Sequence, residues 1–488
     1  MKHLTYTLLS ASLLALTACQ GQSDAPTPKS TTDVVAATTD KDMTENARLD
    51  AWFEARFMES ARHYPQSLTS LGIDERQDEW NDPSRGFRLE RLDDTRRHLA
   101  TLRDTFDFDA LDTDHQLSYR LYEDNAEREL AGLEWWDHGY IYTQMFGPHS
   151  SVPTFLMNQH KIKDVEDAEN YVARLEGIDT YLDAYTEMSK ARFDKGIAPP
   201  KFVYDFVIES ALNVVAGAPI EEDSDDLNLL LQDLTDKTSG LSLSADAREA
   251  LFTRAVLAIE NDVAPAYRRV IAEMERQKAA ASTDDGAWKL PNGDAYYAYR
   301  LGEMTTTDMS ADEIHNLGLS EVARIHGEMR DIMKAVDFDG DLQDFFEFTR
   351  TDPQFYKPET KRGKAEYLRE ATALIDTMEM RLPEVFRRTP KAELDVRAVE
   401  AFREKAAGKA FYNRPAADGS RPGIDYANLY SMADMPVYQM EALAYHEGIP
   451  GHHMQLAISQ ELEGVPKFRK YGGYTAYTEG WGLYSEYL

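Results

Sequence analysis

Apolar residues recur along most of this chain at spacings of three and four, the pattern of amphipathic helices that bury one face. Leu49, Trp52, Phe53, Phe57 and Met58 mark the first stripe, and long helices are predicted near 87–102, 114–134, 166–192 and 246–279. Pro199-Pro200 and the acidic run Glu221-Glu222-Asp223-Ser224-Asp225-Asp226 punctuate them. Ser310-Ala311-Asp312-Glu313 has the form of a capping box, so a helix is predicted from there to about Ala335. Ile314, Leu317, Val322, Ile325 and Met329 form its apolar face, and His315 and His326 flank it as ordinary helix residues. A further helix is predicted from about Lys361 to Phe386.

The texture then changes. Glu393–Val399 alternates, Ala410-Phe411-Tyr412-Asn413 is aromatic, and Ile424–Tyr430 alternates again. Pro415 and Asp418-Gly419-Ser420-Arg421-Pro422-Gly423 supply turn chemistry between the last two. The expectation is a mainly α (α+β) protein: a helical bundle over 46–390, then a region over 391–488 that opens on a small antiparallel sheet. An edge strand can take an extended peptide by strand addition, and on that reading Tyr426 and Asn428 are candidate substrate contacts, although Tyr426 equally suits a core strand.

The N-terminus reads as an export signal. Lys2 and His3 precede an apolar run from Leu8 to Leu16, too short for a membrane span, and Leu16-Thr17-Ala18-Cys19 resembles a bacterial lipobox. The expectation is a signal peptide over 1–18, lipidation of Cys19, a polar tether over 19–45, and an envelope protein facing the periplasm. Gln20 resembles outer-membrane sorting. Cys19 is the only cysteine, so the mature chain carries no disulfide. A net charge of −33 argues against nucleic acid and against anionic lipid as partners, leaving the lipid anchor as the only membrane contact expected. The acidic run lacks the Asp-x-Asp-x-Asp-Gly order of a calcium loop and reads as solvated. Gly-x-Ser-x-Gly, Gly-x-Gly-x-x-Gly and P-loop patterns are absent, which removes the usual footholds for a serine hydrolase or a nucleotide fold.

Three of the twelve histidines crowd into His446-Glu447-Gly448-Ile449-Pro450-Gly451-His452-His453. Catalytic zinc takes three imidazole or carboxylate ligands plus a water, and in His-Glu-x-x-His the glutamate beside the first histidine is the base. Here proline occupies the fourth position after His446. On an unbroken helix, at about 100° per residue, His453 returns to the face of His446 while His452 does not, which favours His453. The same helix would separate the two rings by about 10 Å. Pro450-Gly451 must kink it, and a kink can select either histidine. Thr478-Glu479-Gly480-Trp481 brings a third ligand, and Glu486, seven residues on, shares its face and can fix the tautomer of a liganding imidazole. Tyr484, on the same helix, is a candidate oxyanion donor.

The Glu479 segment resembles the glutamate helix of gluzincin metallopeptidases, in particular the Glu-Gly-Phe/Trp helix of M1 aminopeptidases. From about Asn46 onward, with His-Glu-x-x-Pro-Gly-His-His as signature, the chain resembles a bacterial family known as domain of unknown function 885, whose members are similar to zincin peptidases and are commonly lipoproteins. The resemblance implies Zn2+ held by His446, by His452 or His453, and by Glu479. It further implies a zinc-bound water attacking a peptide or other amide substrate, with Glu447 as general base. Family members continue beyond this helix, so a truncated C-terminus is expected. A metal-bearing scaffold that has lost catalysis is the alternative.

Overall fold

The computed structural model describes residues 43–488; the proposed signal peptide, Cys19 and nearly all of the tether lie outside the described residues. Thr44–Leu488 form one compact unit, so the helical and histidine-bearing regions are not separate bodies. Helices dominate, as the periodicity predicts.

The first stripe forms Glu45–His63, capped by the Thr44 hydroxyl, with Leu49 and Phe53 fully buried. The predicted 166–192 helix is two, Val165–Glu176 and Ile178–Asp194. The Trp80 indole donates to the Arg174 carbonyl at 2.8 Å, taking the acceptor that a continuous helix would give to residue 178. The predicted 246–279 helix does run through, but with a π-helical turn at Ile259–Val263. Pro265 follows at the start of Ala264–Ala280, and its missing N–H accounts for the local change of register. These helices, with those near 148–158, 203–214 and 229–238, enclose the main core, which includes Tyr171, Leu182, Tyr204, Val207 and Tyr267.

The capping box at Ser310 and Glu313 is present, and the helix spans Ala311–Ala335. Its apolar face is not a core face among the described residues: only Met333 is buried, while Leu317 and Val322 are about half exposed, at 53% and 48%. Amphipathicity is a local property, and whether a face is covered is not.

The sheet has three strands, β1 (Leu394–Ala398), β2 (Ala410–Asn413) and β3 (Gly423–Ala427), in the order β1-β3-β2. The expectation of an antiparallel sheet needs correction. β2 pairs β3 antiparallel, but β1 pairs β3 parallel, Val396 opposite Asp425. The stretch between β1 and β2 is long enough to cross to the far edge, so β3 inserts in the middle. β3 is buried along its whole length, as a strand flanked on both edges must be when helices also cover it. Lys361–Val385 packs against it: Tyr367 and Ala371 share a core with Ala427 and Leu429, and Ile375 and Leu382 share one with Ala444, Ile449 and Met454. That second core is the floor on which the histidine segment rests.

Candidate metal centre

The histidine segment is two helices and a sharp joint. Met440–Glu447 ends at Gly448, and His452–Glu461 begins four residues later. Pro450 cannot donate a backbone hydrogen bond and would clash with the carbonyl of residue 446, so the first helix stops there. Gly451 lets the joint fold back tightly: a Cβ at this position would lie 2.0 Å from the His446 carbonyl oxygen and 2.2 Å from that of Tyr445. The Trp481 indole, from helix Thr475–Tyr487, donates to the Pro450 carbonyl at 2.8 Å and clips the joint to the glutamate helix.

Folding back brings His446 and His452 face to edge, ring centroids 4.6 Å apart at 81°. Glu479 Oε2 lies 3.5 Å from His446 Nε2 and 3.8 Å from His452 Nε2. The three donor atoms all lie within 4.8 Å of one another. Ligands about 2.1 Å from a tetrahedral zinc ion stand about 3.4 Å apart, so the set fits that ion with small adjustments. A further feature fits. Gly482, one turn beyond Glu479, leaves room for the His446 ring, which a Cβ there would meet at 2.7 Å.

Glu486 lies where its spacing from Glu479 predicts. Its Oε1 is 2.7 Å from His446 Nδ1, so Nδ1 donates and Nε2 presents its lone pair to Glu479 and His452. Glu486→Ala is expected to weaken zinc binding 10- to 100-fold, read by competition with a chelating dye. His452 turns Nε2 to the cluster, and its Nδ1 is buried with no hydrogen-bond partner among the described residues. Burial, and then the charges of His446 and Arg414, lower the His452 pKa against the opposing pull of Glu479, which keeps the imidazole neutral as a ligand must be.

His453, which rotation along an unbroken helix favours, is not in the cluster. Its Nε2 donates to the Ala392 carbonyl at 3.0 Å, and its Nδ1 accepts from the Tyr412 hydroxyl at 3.0 Å. Both ring nitrogens are therefore engaged on the side facing the sheet. The premise of a continuous helix failed: once the chain folds back at Gly451, the residue opening the new helix faces His446, and its neighbour, about 100° round, faces away.

Tyr426 and Asn428 also take other roles than substrate contact. Tyr426 is buried, stacked on Phe411, and its hydroxyl donates to Glu400 at 3.1 Å. The Asn428 amide donates to the Glu404 and Ala407 carbonyls at 2.7 and 3.0 Å. β3 is the central strand, so no third chain can pair with it. Tyr484 is not brought to the cluster. It is 52% exposed, about 140° round the helix from Glu479, with its ring beside Trp481.

Glu447 is 8% exposed at the end of its helix. Burial pushes its carboxyl up to about 7, the charges of Glu479 and Glu486 adding to the rise and His446 opposing it. Asp425, on β3, is a residue that motif reading misses. It is 4% exposed and raised well above the carboxylate range, by burial first and then by the Glu447 charge. A lone aspartate inside an apolar strand, on the face opposite Tyr426, was the available signal.

The Glu447 shift has a stability consequence in the metal-free chain. The folded state binds this proton more tightly than the unfolded chain, whose carboxyl titrates near 4.5, so stability is lost as pH rises from about 4.5 through about 7. Glu447→Gln is therefore expected to stabilise the chelator-treated protein by on the order of 2–3 kcal/mol near pH 8 and to change little near pH 4. Urea denaturation at the two pH values checks this.

A family described as "Bacterial protein of unknown function (DUF885)" matches residues 65–488, a span that includes the whole cluster. The chain belongs to the DUF885 family. Two solved structures share the fold of this DUF885 protein. A candidate lipoprotein from Colwellia psychrerythraea superposes with a TM-score of 0.80 at 24% identity, over 91% of this chain and 77% of that one. A candidate lipoprotein of unknown function from Shewanella oneidensis gives 0.55 at 16%, with the same two coverages. No curated protein matches. Among the described residues no helix is long and apolar enough to cross a membrane.

Proposed function

We propose that this DUF885 protein is a zinc-dependent hydrolase of peptide bonds, similar in its chemistry to zincin-type peptidases. The observation that carries the proposal is the convergence of His446 Nε2, His452 Nε2 and Glu479 Oε2 beside a buried carboxyl that is not one of the donors. Zinc held by those three residues would polarise a carbonyl and acidify water. Glu447, raised to about 7, is suited to take a proton from the attacking water near neutral pH and to return it to the leaving amine. Glu486 orients His446, and the neutral His452 ring is ready to ligate without first losing a proton. The buried Asp425 lies near Glu447, and burial and the Glu447 charge raise its carboxyl well above the usual carboxylate range. The lipobox-like Leu16-Thr17-Ala18-Cys19 supports placement on the envelope as a lipid-anchored protein.

The test is digestion of a mixed peptide set by the zinc-loaded chain, followed by mass spectrometry, with a chelated sample and the Glu447→Gln variant alongside. Cleavage in the first sample alone is expected. Stoichiometric zinc without cleavage of any peptide would sink the hydrolase reading and favour a metal-bearing scaffold.

A further inference from the structure

Helix Ala311–Ala335 carries an apolar stripe that its neighbour Leu342–Thr351 leaves largely open. At about 100° per residue, Ile314, Val322, Ile325, Met329, Ile332 and Val336 fall within about 80° of arc, a seam about 33 Å long at about 1.5 Å per residue. Val322, Ile325, Ile332 and Val336 are exposed. A contiguous apolar strip with a polar border marks a docking surface, because soluble chains seldom leave one to water.

Beside the C-terminal half of the seam lies a groove of about 920 Å3, floored by aromatic rings. Phe338 meets Phe345 and Phe348, Phe348 meets Phe355, and Phe355 meets Tyr438, with ring centroids 5.1 to 5.6 Å apart. Rings packed on one another in this way form the floor before anything enters the groove.

Charge decides what fits. Glu321 and Glu328 lie about 20° and 40° outside the seam, on the edge away from Leu342–Thr351. A single cation, Arg324, serves both, at 2.8 and 2.6 Å. Asp337 and Asp339 line the groove with no ion-pair partner among the described residues. Arg350, the one cation that lines it, is already paired with Glu347 at 3.1 Å. Such an acidic rim repels anionic lipid and nucleic acid. It also disfavours a second copy of the chain. Antiparallel packing of the seam on itself, with Val322 opposite Ile325, sets Glu321 against Glu328 between two chains that each carry a net charge of −33.

We infer that the seam and groove receive an amphipathic helix of a partner protein, about six turns long, whose apolar side is edged by lysine and arginine. The partner's apolar side chains lie against Ile325, Ile332 and the aromatic floor, and its cations meet Glu321, Glu328, Asp337 and Asp339. None of the three converging donors of the metal centre takes part.

The test uses the full chain and three fluorescein-labelled synthetic peptides of about 22 residues. One has a leucine seam edged by lysine, one has glutamate in place of each lysine, and one has the lysine peptide's residues in an order without a seam. Fluorescence polarisation at about 0.15 M salt, where long-range attraction is screened, is expected to show the first binding at least about 10-fold more tightly than the other two. Ile325→Asp and Ile332→Asp, both at exposed positions, should each weaken it by about 10-fold or more. Glu321→Lys combined with Glu328→Lys should reverse the preference toward the glutamate peptide, with the circular dichroism spectrum unchanged. Equal binding of the ordered and reordered lysine peptides overturns the inference, and so does binding that survives both isoleucine variants or no binding at all. A chain dimer in light scattering that Ile325→Asp dissociates overturns it in favour of a second copy.

Discussion

Glu447→Gln is expected to lower peptide hydrolysis by about 10²- to 10⁴-fold while the chain retains its zinc. Glutamine keeps the volume and one hydrogen-bonding oxygen of the side chain, so the end of helix Met440–Glu447 and its buried setting survive. What it loses is the basic oxygen. The converging donors are His446, His452 and Glu479, with Glu447 outside that set, so metal content should remain one per chain. Because the proton moves only as the bond is attacked, the loss should appear in kcat and leave KM nearly unchanged. Steady-state rates on a cleaved peptide, with metal analysis of the same sample, decide it. Activity within a few-fold of the parent would remove Glu447 as the base, and loss of zinc would make it a ligand.

The two adjacent histidines give the second large effect, because the structure turns them to different sides of one helix, about 100° apart. On the zinc reading, His452→Ala removes one of the three converging donors. If about 10–16 kcal/mol of zinc binding is shared among such ligands, zinc affinity should fall by about 10²- to 10⁴-fold or more. Stability of the metal-free chain should change less. His453→Ala should do the reverse. It leaves a cavity where the buried ring stood and the partly buried Tyr412 hydroxyl and Ala392 carbonyl without that partner, which costs about 2–4 kcal/mol, while zinc per folded chain stays the same. Dye-competition affinity and denaturant midpoints separate the two. Equal zinc loss in both variants would mean that the fold at Gly451 is not as described.

Much of this was legible because it depends on short-range periodicity. The helix at Glu45–His63, the capping box at Ser310 and Glu313, and the helix ending near residue 385 follow from spacing and local hydrogen bonding alone. So do His446 as a ligand candidate and the pairing of Glu479 with Glu486, since seven residues make nearly two helical turns. The errors have a common form. The preference for His453 assumed an unbroken helix, and the antiparallel sheet assumed that strands adjacent in sequence are adjacent in space. Reading Tyr426 and Asn428 as substrate contacts assumed that β3 was an edge.

What the residue order determined by itself was which segments are helical, where a break must fall, and which side chains have the chemistry for a metal. Each of these is decided within a few residues by backbone sterics and local hydrogen bonds. The tertiary structure alone decided which histidine faces the cluster, that β1 and β2 flank β3, and that Asp425 lies buried near Glu447. Those outcomes depend on where segments far apart in the chain pack against each other. A reversal of direction at one glycine or one long crossover changes them without altering any local pattern.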